Sequence, residues 1–370
     1  MPDNMRAFVM KQVGEVAVVD KPIPEPGPNE AVLRTTTALV CTSDVHTVKG
    51  AIPIEPNRTL GHEAVGVVHA LGSAVQGFSP GDRVAVGAIT PCFTCDYCQR
   101  GFTSQCQGML GGYKFTGQRD GNMAEYFVVN DAQANLTPIP DDLPDEKAVY
   151  ATDMLSTGFA GAENAELRLG ETVAIFAQGP VGLSATIGSR LLGAGLIYAV
   201  ESKPERQKLA QQFGADVIID YTKGDPVDQL MEQTGGEGVD AAIEAFGFPQ
   251  TFEAAIRVTK PGGRISNIGY HGENPDPLQI PLEPFGMGMS QKKILTHLCP
   301  GGRERLSRIF RLMQTGKVDP TPMRVSVMVV HAGTRWSQRP RQTSAPAARK
   351  TSRRRYSSPR QRRSAQALAR

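Results

Sequence analysis

Short apolar runs separated by turns dominate the first 150 residues of the chain. The stretches 16–19 and 31–34 have the β-branched content of strands, and four prolines between positions 22 and 28 form a stiff connection between them. Residues 64–72 and 83–86 continue the pattern, with glycine or Pro-Gly turns beside them. This part of the chain therefore predicts a strand-rich, irregular domain, which we expect to be a partly open β-barrel.

From residue 169 onward the pattern changes to strands that alternate with amphipathic helices. Residues 171–176 form an apolar run with β-branched residues, and residues 183–193 after it have the pattern of a helix. The same alternation continues, with strands predicted at 196–200, 215–220, 238–244 and 261–269 and helices at 204–213 and 250–258. Alternation with this spacing predicts an α/β fold with a doubly wound parallel sheet.

The turn after the first of these strands has the composition of a dinucleotide-binding loop. Small residues there let the backbone approach a pyrophosphate, and the N-terminus of the next helix offers free N–H groups to it. Ala177 replaces the first glycine of the usual fingerprint, but the strand before it and the helix after it support the assignment. The predicted cofactor-binding residues of this loop are Gly179, Pro180, Val181 and Gly182.

An acidic residue follows the second strand of this unit. Glu201 lies nineteen residues past Gly182, where a carboxylate can accept hydrogen bonds from a ribose 2′-hydroxyl and repel a 2′-phosphate. We therefore expect NAD in preference to NADP, with Lys203 as a second cofactor contact whose positive charge weakens that preference. The alternative for Glu201 is an ordinary solvated side chain.

Two short polar segments, about twenty residues apart, carry candidate metal ligands. The segment 41–46 contains Cys41, Ser43 and His46, and the segment 61–63 contains His62 and Glu63. A thiolate, an imidazole and a carboxylate suit zinc, and zinc with three protein ligands keeps one position open for a substrate. We therefore predict a catalytic zinc at Cys41 and His62.

Four of the six cysteines lie within fifteen residues of one another. Cys92, Cys95, Cys98 and Cys106 have the spacing C-x2-C-x2-C-x7-C. Four thiolates close a tetrahedral shell around zinc and leave no position for a substrate, so this pattern predicts a structural zinc. The alternative is a set of disulfides or unrelated thiols, which a chain without an apolar N-terminal signal segment does not favour. Cys299 fits neither set and is interpreted as a free thiol.

The net charge of +3 is the sum of an acidic body and a strongly basic C-terminal segment. Residues 331–370 hold twelve of the forty Lys and Arg and no Asp or Glu, which leaves 28 basic and 37 acidic residues in the first 330. The body is therefore mildly acidic, and it contains no run of 18 apolar residues. These observations predict a cytoplasmic protein without a membrane segment.

Taken together, the motifs resemble those of the zinc-dependent medium-chain alcohol dehydrogenases, with details closest to the bacterial secondary-alcohol branch. The similarity covers roughly residues 5–325 and is specific as a set, although each motif is weak alone. It rests on the segments 41–46, 61–63, 92–106 and 179–182, and also accounts for 111–115, 152–154 and 299–303. The resemblance implies a GroES-like catalytic domain made from both ends of the chain, with a Rossmann domain inserted.

The resemblance also implies roles for individual residues. Asp153 would complete the catalytic zinc site with Cys41 and His62, and Glu63 would be a nearby carboxylate that exchanges on and off the metal. Ser43 would take the proton of the alcohol, and a relay through the cofactor ribose would end at His46, for which a hydrogen-bonded surface histidine is the alternative. Tyr221 and Tyr270 follow strands where relatives contact the cofactor.

The expected activity is hydride transfer between a primary or secondary alcohol and NAD, which gives the aldehyde or ketone. Polyol or threonine dehydrogenation, or an inactive paralogue that serves as a binding partner, remain alternatives. We expect a homo-oligomer, a dimer or tetramer, and do not expect nucleic acid as a partner. The expected divisions are 1–156 for the catalytic domain with a zinc lobe at about 91–107, 157–295 for the Rossmann domain, 296–330 for the return to the catalytic domain, and 331–370 for a basic tail.

The tail departs from the family, which returns to the catalytic domain as strand and helix. Residues 335–370 consist mainly of Arg, Ser, Ala, Gln and Pro, a composition that cannot bury a core. We interpret the change as a shift of reading frame near residues 324–330. The alternative is a native basic tail that binds nucleic acid or an anionic surface.

Overall fold

In the computed structural model of the chain, residues 4–108, 118–274, 276–325 and 329–331 are described. The segment 111–115 and the predicted basic tail, apart from the backbone of residue 331, lie outside these ranges. Numbered along the chain, the strands are β1 (Asn4–Gln12), β2 (Glu15–Pro22), β3 (Ala31–Leu39), β4 (Arg58–Thr59), β5 (Glu63–Leu71), β6 (Arg83–Val86), β7 (Tyr126–Val129), β8 (Thr137–Pro138), β9 (Thr172–Phe176), β10 (Leu196–Val200), β11 (Val217–Ile219), β12 (Val239–Glu244), β13 (Thr259–Asn267), β14 (Lys293–Thr296) and β15 (Val329–His331).

Among the described α-helices, those before residue 150 span four to seven residues, and those from Met154 onward span eight to twelve. Four of the longer helices begin with a proline, whose missing N–H costs nothing in the first helical turn. The helices are α1 (Thr42–Val48), α2 (Asp96–Gln99), α3 (Ala132–Asn135), α4 (Asp145–Ala148), α5 (Met154–Asn164), α6 (Pro180–Leu191), α7 (Pro204–Phe213), α8 (Pro226–Gln233), α9 (Pro249–Val258) and α10 (Arg303–Gln314).

A six-stranded sheet, entirely parallel in its pairing, has the order β11-β10-β9-β12-β13-β14. Its central strand β9 is almost completely buried, as expected for a strand covered by helices on both faces. This confirms the α/β class and the doubly wound parallel sheet. The sixth strand of this sheet, β14, lies at its edge and pairs with β13.

Antiparallel pairing characterises the rest of the described strands. A six-stranded sheet includes the path β15-β3-β5-β6-β8 with β7 also paired to β3, and a smaller sheet has the order β2-β1-β4. The short strand β15 pairs with β3, so the chain returns to this sheet after α10. This irregular antiparallel arrangement agrees with the predicted GroES-like architecture. Within the described residues, no helix is long and apolar enough to cross a membrane.

The two helices that follow the candidate metal and cofactor segments pack directly on one another through glycines. A Cβ atom at Gly158 of α5 would lie 2.3 Å from the Ser184 Cβ of α6, and one at Gly188 of α6 would lie 3.1 Å from the Phe159 Cα of α5. Contacts this close exclude any larger side chain at Gly158. The start of α5 is therefore held in a fixed position relative to the start of α6.

Candidate active site and metal centres

Four potential metal ligands come together although they are distant in sequence. The ligand atoms of Cys41, His62, Glu63 and Asp153 all lie within 4.8 Å of one another. His62 Nε2 is 3.3 Å from Asp153 Oδ2, and Cys41 Sγ is 3.9 Å from the same oxygen. The fold thus assembles the whole set that the sequence analysis assigned to the catalytic zinc.

Each ligand lies at the end of a regular element. Cys41 directly precedes α1, Glu63 is the first residue of β5, and Asp153 directly precedes α5. The turn before His62 depends on Gly61, which has φ +94° and where a Cβ would meet Met123 and Asn122 at under 3 Å. A left-handed backbone in a crowded place explains why glycine precedes the histidine ligand.

Asp44 ties the two ligand segments to each other. One oxygen of its buried carboxylate accepts a hydrogen bond from Cys41 N at 2.9 Å, and the other accepts one from Gly61 N at 3.1 Å. The second oxygen also lies 3.6 Å from His62 Nδ1. A carboxylate behind a histidine ligand orients the ring and makes it a better donor to a metal. Asp44 is therefore a supporting residue of the metal site.

The charge state of the cluster fits a bound dication. Glu63 is fully buried, and neither of its carboxylate oxygens has a hydrogen-bond partner among the described residues. Burial, reinforced by the Asp153 charge, raises the pKa of Glu63 well above its usual range, and burial raises the pKa of Cys41 to about 11. Unpaired buried acids are costly, and a zinc ion accepts sulfur, nitrogen and oxygen donors alike. The residues present therefore fit zinc.

His62 and Asp153 stabilise each other's charged forms. Burial alone would lower the pKa of His62, but Asp44 and Asp153 outweigh it and raise that pKa well above its usual value. Burial alone would raise the pKa of Asp153, but the hydrogen bond and charge of His62 lower it. Thr157 Oγ1 also donates to Asp153 Oδ1 at 2.6 Å, which fixes the carboxylate in place.

The two predicted proton carriers lie on α1, next to the metal ligands. Ser43 Oγ is 3.2 Å from Cys41 Sγ. His46 lies one turn further along, with its ring centroid 5.3 Å from that of Tyr270 and its Nδ1 2.7 Å from Glu273 Oε1. Ser43 thus contacts a residue of the ligand cluster, whereas His46 packs beside the Tyr270 ring.

The four-cysteine cluster forms within a single loop. Ligand sulfurs of Cys92, Cys95, Cys98 and Cys106 lie within 4.8 Å of one another, and all four are free thiols. Backbone N–H groups of Cys92 and Gly108 point at Cys106 Sγ at 3.3 and 3.2 Å. Backbone hydrogen bonds, first from Cys98 and then from Gln107, lower the pKa of Cys95 to about 6. N–H groups directed at sulfur stabilise thiolates, so this loop fits a zinc with a closed shell.

In the predicted cofactor turn, one glycine faces open space and another lies against the backbone, as a dinucleotide site requires. A Cβ at Gly179 would meet nothing within 4 Å, whereas one at Gly182 would lie 2.0 Å from the Ala177 carbonyl oxygen. Ala177 itself has φ +70°, a conformation that glycine adopts without strain. Ala177 therefore keeps the backbone conformation that the first glycine of the fingerprint would have. The open space at Gly179 fits a pyrophosphate at the N-terminus of α6.

Glu201 is less available than the sequence analysis expected. It is 3% exposed, and its carboxylate accepts hydrogen bonds from the backbone N–H groups of Gln178 (3.2 Å), Ser202 (2.8 Å) and Lys203 (3.1 Å). Nearby, the Ser202 hydroxyl donates to Tyr221 Oη at 2.6 Å. Glu201, Lys203 and Tyr221 therefore lie together at the carboxyl ends of β10 and β11, but the carboxylate is already held by the backbone.

A cavity of about 170 Å³ joins the metal cluster to the cofactor turn. Cys41, His62 and Asp153 line one side and Val181 another, while Tyr270 also reaches it. The remaining wall is largely apolar and includes Ile52, Ala88, Ile89 and Leu298. A reacting carbon between the metal and a nicotinamide would therefore face a small apolar pocket.

Several residues around the site escaped the sequence analysis. His297, to which no local pattern gave a role, lines the cavity, and so does Cys299, whose pKa burial raises well above its usual value. Asp44 had a local signal, because an acid three residues after a helix-capping position commonly bonds back to the backbone. Glu273 had none, because it lies on a loop more than two hundred residues from its partner His46.

The chain matches two family models. Residues 27–141 match the model for the alcohol dehydrogenase GroES-like domain, and residues 180–315 match the model for zinc-binding dehydrogenases. Together these ranges cover more than half of the chain and include the cysteine cluster and, from Pro180, part of the cofactor turn.

Curated relatives and a solved structure agree with these matches. An alcohol dehydrogenase of Cupriavidus necator is 47% identical over 86% of this chain and 90% of that protein. An NADP-dependent isopropanol dehydrogenase of Thermoanaerobacter brockii is 46% identical over 86% of this chain and 91% of that protein. The structure of an alcohol dehydrogenase from Thermus sp. ATN1 is similar, with a TM-score of 0.77, 33% identity, and coverage of 85% of this chain and 90% of that one.

Proposed function

The chain belongs to the zinc-dependent medium-chain alcohol dehydrogenases of the secondary-alcohol type, and from that premise we propose that it oxidises small secondary alcohols to ketones with NAD. The family membership establishes that the reaction interconverts an alcohol and a carbonyl compound. The small size proposed for the substrate rests on one observation, the largely apolar cavity of about 170 Å³ beside the ligand cluster.

We propose that Cys41, His62 and Asp153 hold the catalytic zinc and that Glu63 provides an exchangeable carboxylate. When bound, the metal supplies a Lewis acid that lowers the pKa of an alcohol, and the nicotinamide accepts a hydride. Ser43, whose hydroxyl borders Cys41, takes the proton of the alcohol, and His46 passes it toward solvent. The apolar wall formed by Ile52, Ile89 and Leu298 excludes water from the reacting carbon.

We propose that Glu201 selects NAD by occupying an anion site. Its carboxylate accepts hydrogen bonds from the N–H groups of Ser202 and Lys203 at the end of β10 and of Gln178 after β9, which would otherwise be free to bind a 2′-phosphate. It also places a buried negative charge beside the predicted ribose position. The exposed Lys203, and Arg206 with its Nη1 3.5 Å from Glu201 Oε2, oppose this preference because both are positively charged.

The cofactor proposal is tested by kcat/KM for NAD and NADP. We expect NAD to be preferred in the wild type and Glu201→Gly to shift the ratio toward NADP by about 10-fold or more, since a charge-assisted contact contributes roughly 1.5–3 kcal/mol. Glu205→Gly, which changes an exposed acid on α7, serves as the matched control. A wild type that prefers NADP would contradict this role of Glu201, and some relatives are named as NADP-dependent enzymes.

We also propose a homo-oligomer that covers an apolar segment of the parallel-sheet half. Leu282, Met287 and Met289 are 65%, 63% and 80% exposed, and the nearby strand β14 is an edge of the sheet. Exposed apolar side chains beside an open sheet edge are typical of a subunit interface. Sedimentation analysis of the wild type and of Leu282→Glu with Met289→Glu is the test, and a monomeric wild type would contradict the proposal.

The substrate proposal is tested with a panel of alcohols in the presence of NAD and zinc. We expect 2-propanol and 2-butanol to give higher kcat/KM than sorbitol or threonine, because the cavity of about 170 Å³ is small and much of its wall is apolar. A preference for the polyol would overturn the assignment to small secondary alcohols. Zinc binding without turnover of any alcohol would instead favour an inactive paralogue.

A further inference from the structure

An acidic residue from the parallel-sheet half reaches the predicted proton carrier on α1. Glu273 lies in the turn after β13, and its Oε1 is 2.7 Å from His46 Nδ1. The same oxygen is 3.0 Å from Lys49 Nζ, at the C-terminal end of α1. One carboxylate therefore contacts His46 of α1 and Lys49, the residue that follows this helix.

The turn that carries Glu273 is itself fixed against the α1 segment. Tyr270 Oη donates a hydrogen bond to the Ala51 carbonyl at 2.8 Å, and Ala51 N donates to the His46 carbonyl at 2.9 Å. Gly272 packs on the Tyr270 ring so closely that a Cβ there would lie 2.1 Å from Tyr270 Oη. The position of Glu273 opposite His46 is thus set by the backbone and not by the glutamate alone.

The chemistry of an imidazole makes this contact relevant to proton transfer. Within the described part of the chain, the buried His46 Nδ1 makes no well-aligned hydrogen bond, although the Glu273 carboxylate is at contact distance. A carboxylate next to Nδ1 favours the tautomer with the proton on Nδ1, which leaves Nε2 as the acceptor. The same negative charge stabilises the imidazolium that forms when a second proton arrives.

Glu273 is suited to remain ionised in this place. Burial alone would raise its pKa, but His46 and Lys49 outweigh that effect and lower the pKa below its usual value. The Lys49 side chain is 61% exposed and contacts only the Glu273 carboxylate of this pair, so solvent screens its charge and it does not orient the imidazole.

We propose that Glu273 is a positioning residue that holds His46 in the Nδ1-protonated tautomer and so prepares it to receive the proton released by the alcohol. The inference rests on the proposed alcohol oxidation, and it adds a residue of the cofactor half to the proton path. It also makes the path depend on the contact between the two halves of the described chain.

The test combines nitrogen-15 histidine NMR with kinetics on the full-length, zinc-loaded protein. The chain has six histidines, and His46→Gln assigns the signal of interest. In Glu273→Gln we expect the His46 signals to move toward a mixture of tautomers, and kcat for 2-propanol to fall by about 10-fold with little change in KM, as part of the 10²–10⁴ that positioned proton transfer contributes. Glu273→Asp should recover part of both effects.

Lys49→Met is the matched control, because it removes the other partner of the same carboxylate. We expect it to leave the His46 signals in place and kcat within about twofold. Unchanged His46 signals in Glu273→Gln, or an equal loss of kcat in Lys49→Met, would overturn the proposal. A wild type that oxidises no alcohol would refute the proposed function instead, and the NMR comparison would still decide whether Glu273 sets the tautomer.

Discussion

The two candidate metal centres are built on opposite principles. The mixed centre, formed by Cys41, His62, Glu63 and Asp153, takes one thiol, one imidazole and two carboxylates from three separate parts of the chain and faces a cavity. The cysteine cluster takes four thiols from one loop, with backbone N–H groups directed at the sulfurs. Mixed ligands with buried acids leave room for exchange and chemistry, whereas four thiolates fill the coordination shell. The same metal can therefore serve reaction in one place and stability in the other.

The largest effect should follow loss of the thiol at the mixed centre. In Cys41→Ala we expect kcat for 2-propanol to fall by about 10³-fold or more, because a Lewis acid contributes several kcal/mol to the barrier. Zinc per chain should drop from two to about one, while the thermal midpoint changes little. Cys299→Ala, which removes a buried thiol that lines the cavity but belongs to neither cluster, should keep two zinc ions per chain and is the control for the metal content. Full zinc content in Cys41→Ala would remove Cys41 from the ligand set.

A smaller effect is expected from the hydroxyl beside that thiol. Ser43→Ala should lower kcat by about 10- to 1000-fold, since it removes the first acceptor of the alcohol proton. Its zinc content should stay at the wild-type value, which separates proton transfer from metal binding. Ser73→Ala changes an exposed serine and should be silent. Unchanged turnover in Ser43→Ala would exclude the hydroxyl from the mechanism.

The ease of predicting the two centres from sequence follows from how they are built. The four cysteines span fifteen residues, so their spacing alone identifies a zinc loop. Asp153 lies 112 residues from Cys41, and no local pattern links the two; the assignment came from resemblance to a family. The parallel sheet could be predicted because each of its strands and helices carries its own pattern, whereas the short edge strand β14 has little burial to mark it.

Side chains that support the site were harder to predict for the same reason. Asp44 acts on Gly61 and His62 only once the turn brings them close, and Glu273 meets His46 only after the two halves pack. The Glu201 carboxylate could be placed at the end of β10, but its burial by backbone N–H groups depends on the three-dimensional turn. Tertiary contacts, rather than local pattern, decide these roles.

The supporting carboxylate gives an intermediate test of the comparison. Asp44→Asn should weaken zinc at the mixed centre by about 10- to 100-fold, as loss of an outer partner of a metal-bound histidine does. Zinc in the cysteine loop should be unaffected. Competition with a chromogenic chelator measures both affinities, and Asp96→Asn, an exposed acid within the cysteine loop, is the control. Equal weakening of both zinc ions would contradict the separation of the two centres.

The smallest effect on catalysis should come from the cysteine loop. In Cys98→Ser we expect kcat per folded molecule to stay within about threefold, because the loop can open locally without moving the reacting groups. The thermal midpoint should fall by about 5 °C or more as the metal-coupled loop loses its order. A loss of kcat as large as that of Cys41→Ala would show that the loop takes part in the reaction.

The central claim is that one zinc reacts and the other stabilises, and graded removal of zinc tests it most directly. A chelator is added stepwise to the wild-type protein while zinc per chain, 2-propanol oxidation with NAD and circular dichroism are followed on the same samples. We predict that activity disappears in proportion to the first zinc released, and that the fold persists until the second leaves. Activity that survives the loss of one full zinc per chain, or a fold that is lost with the first, would contradict the account.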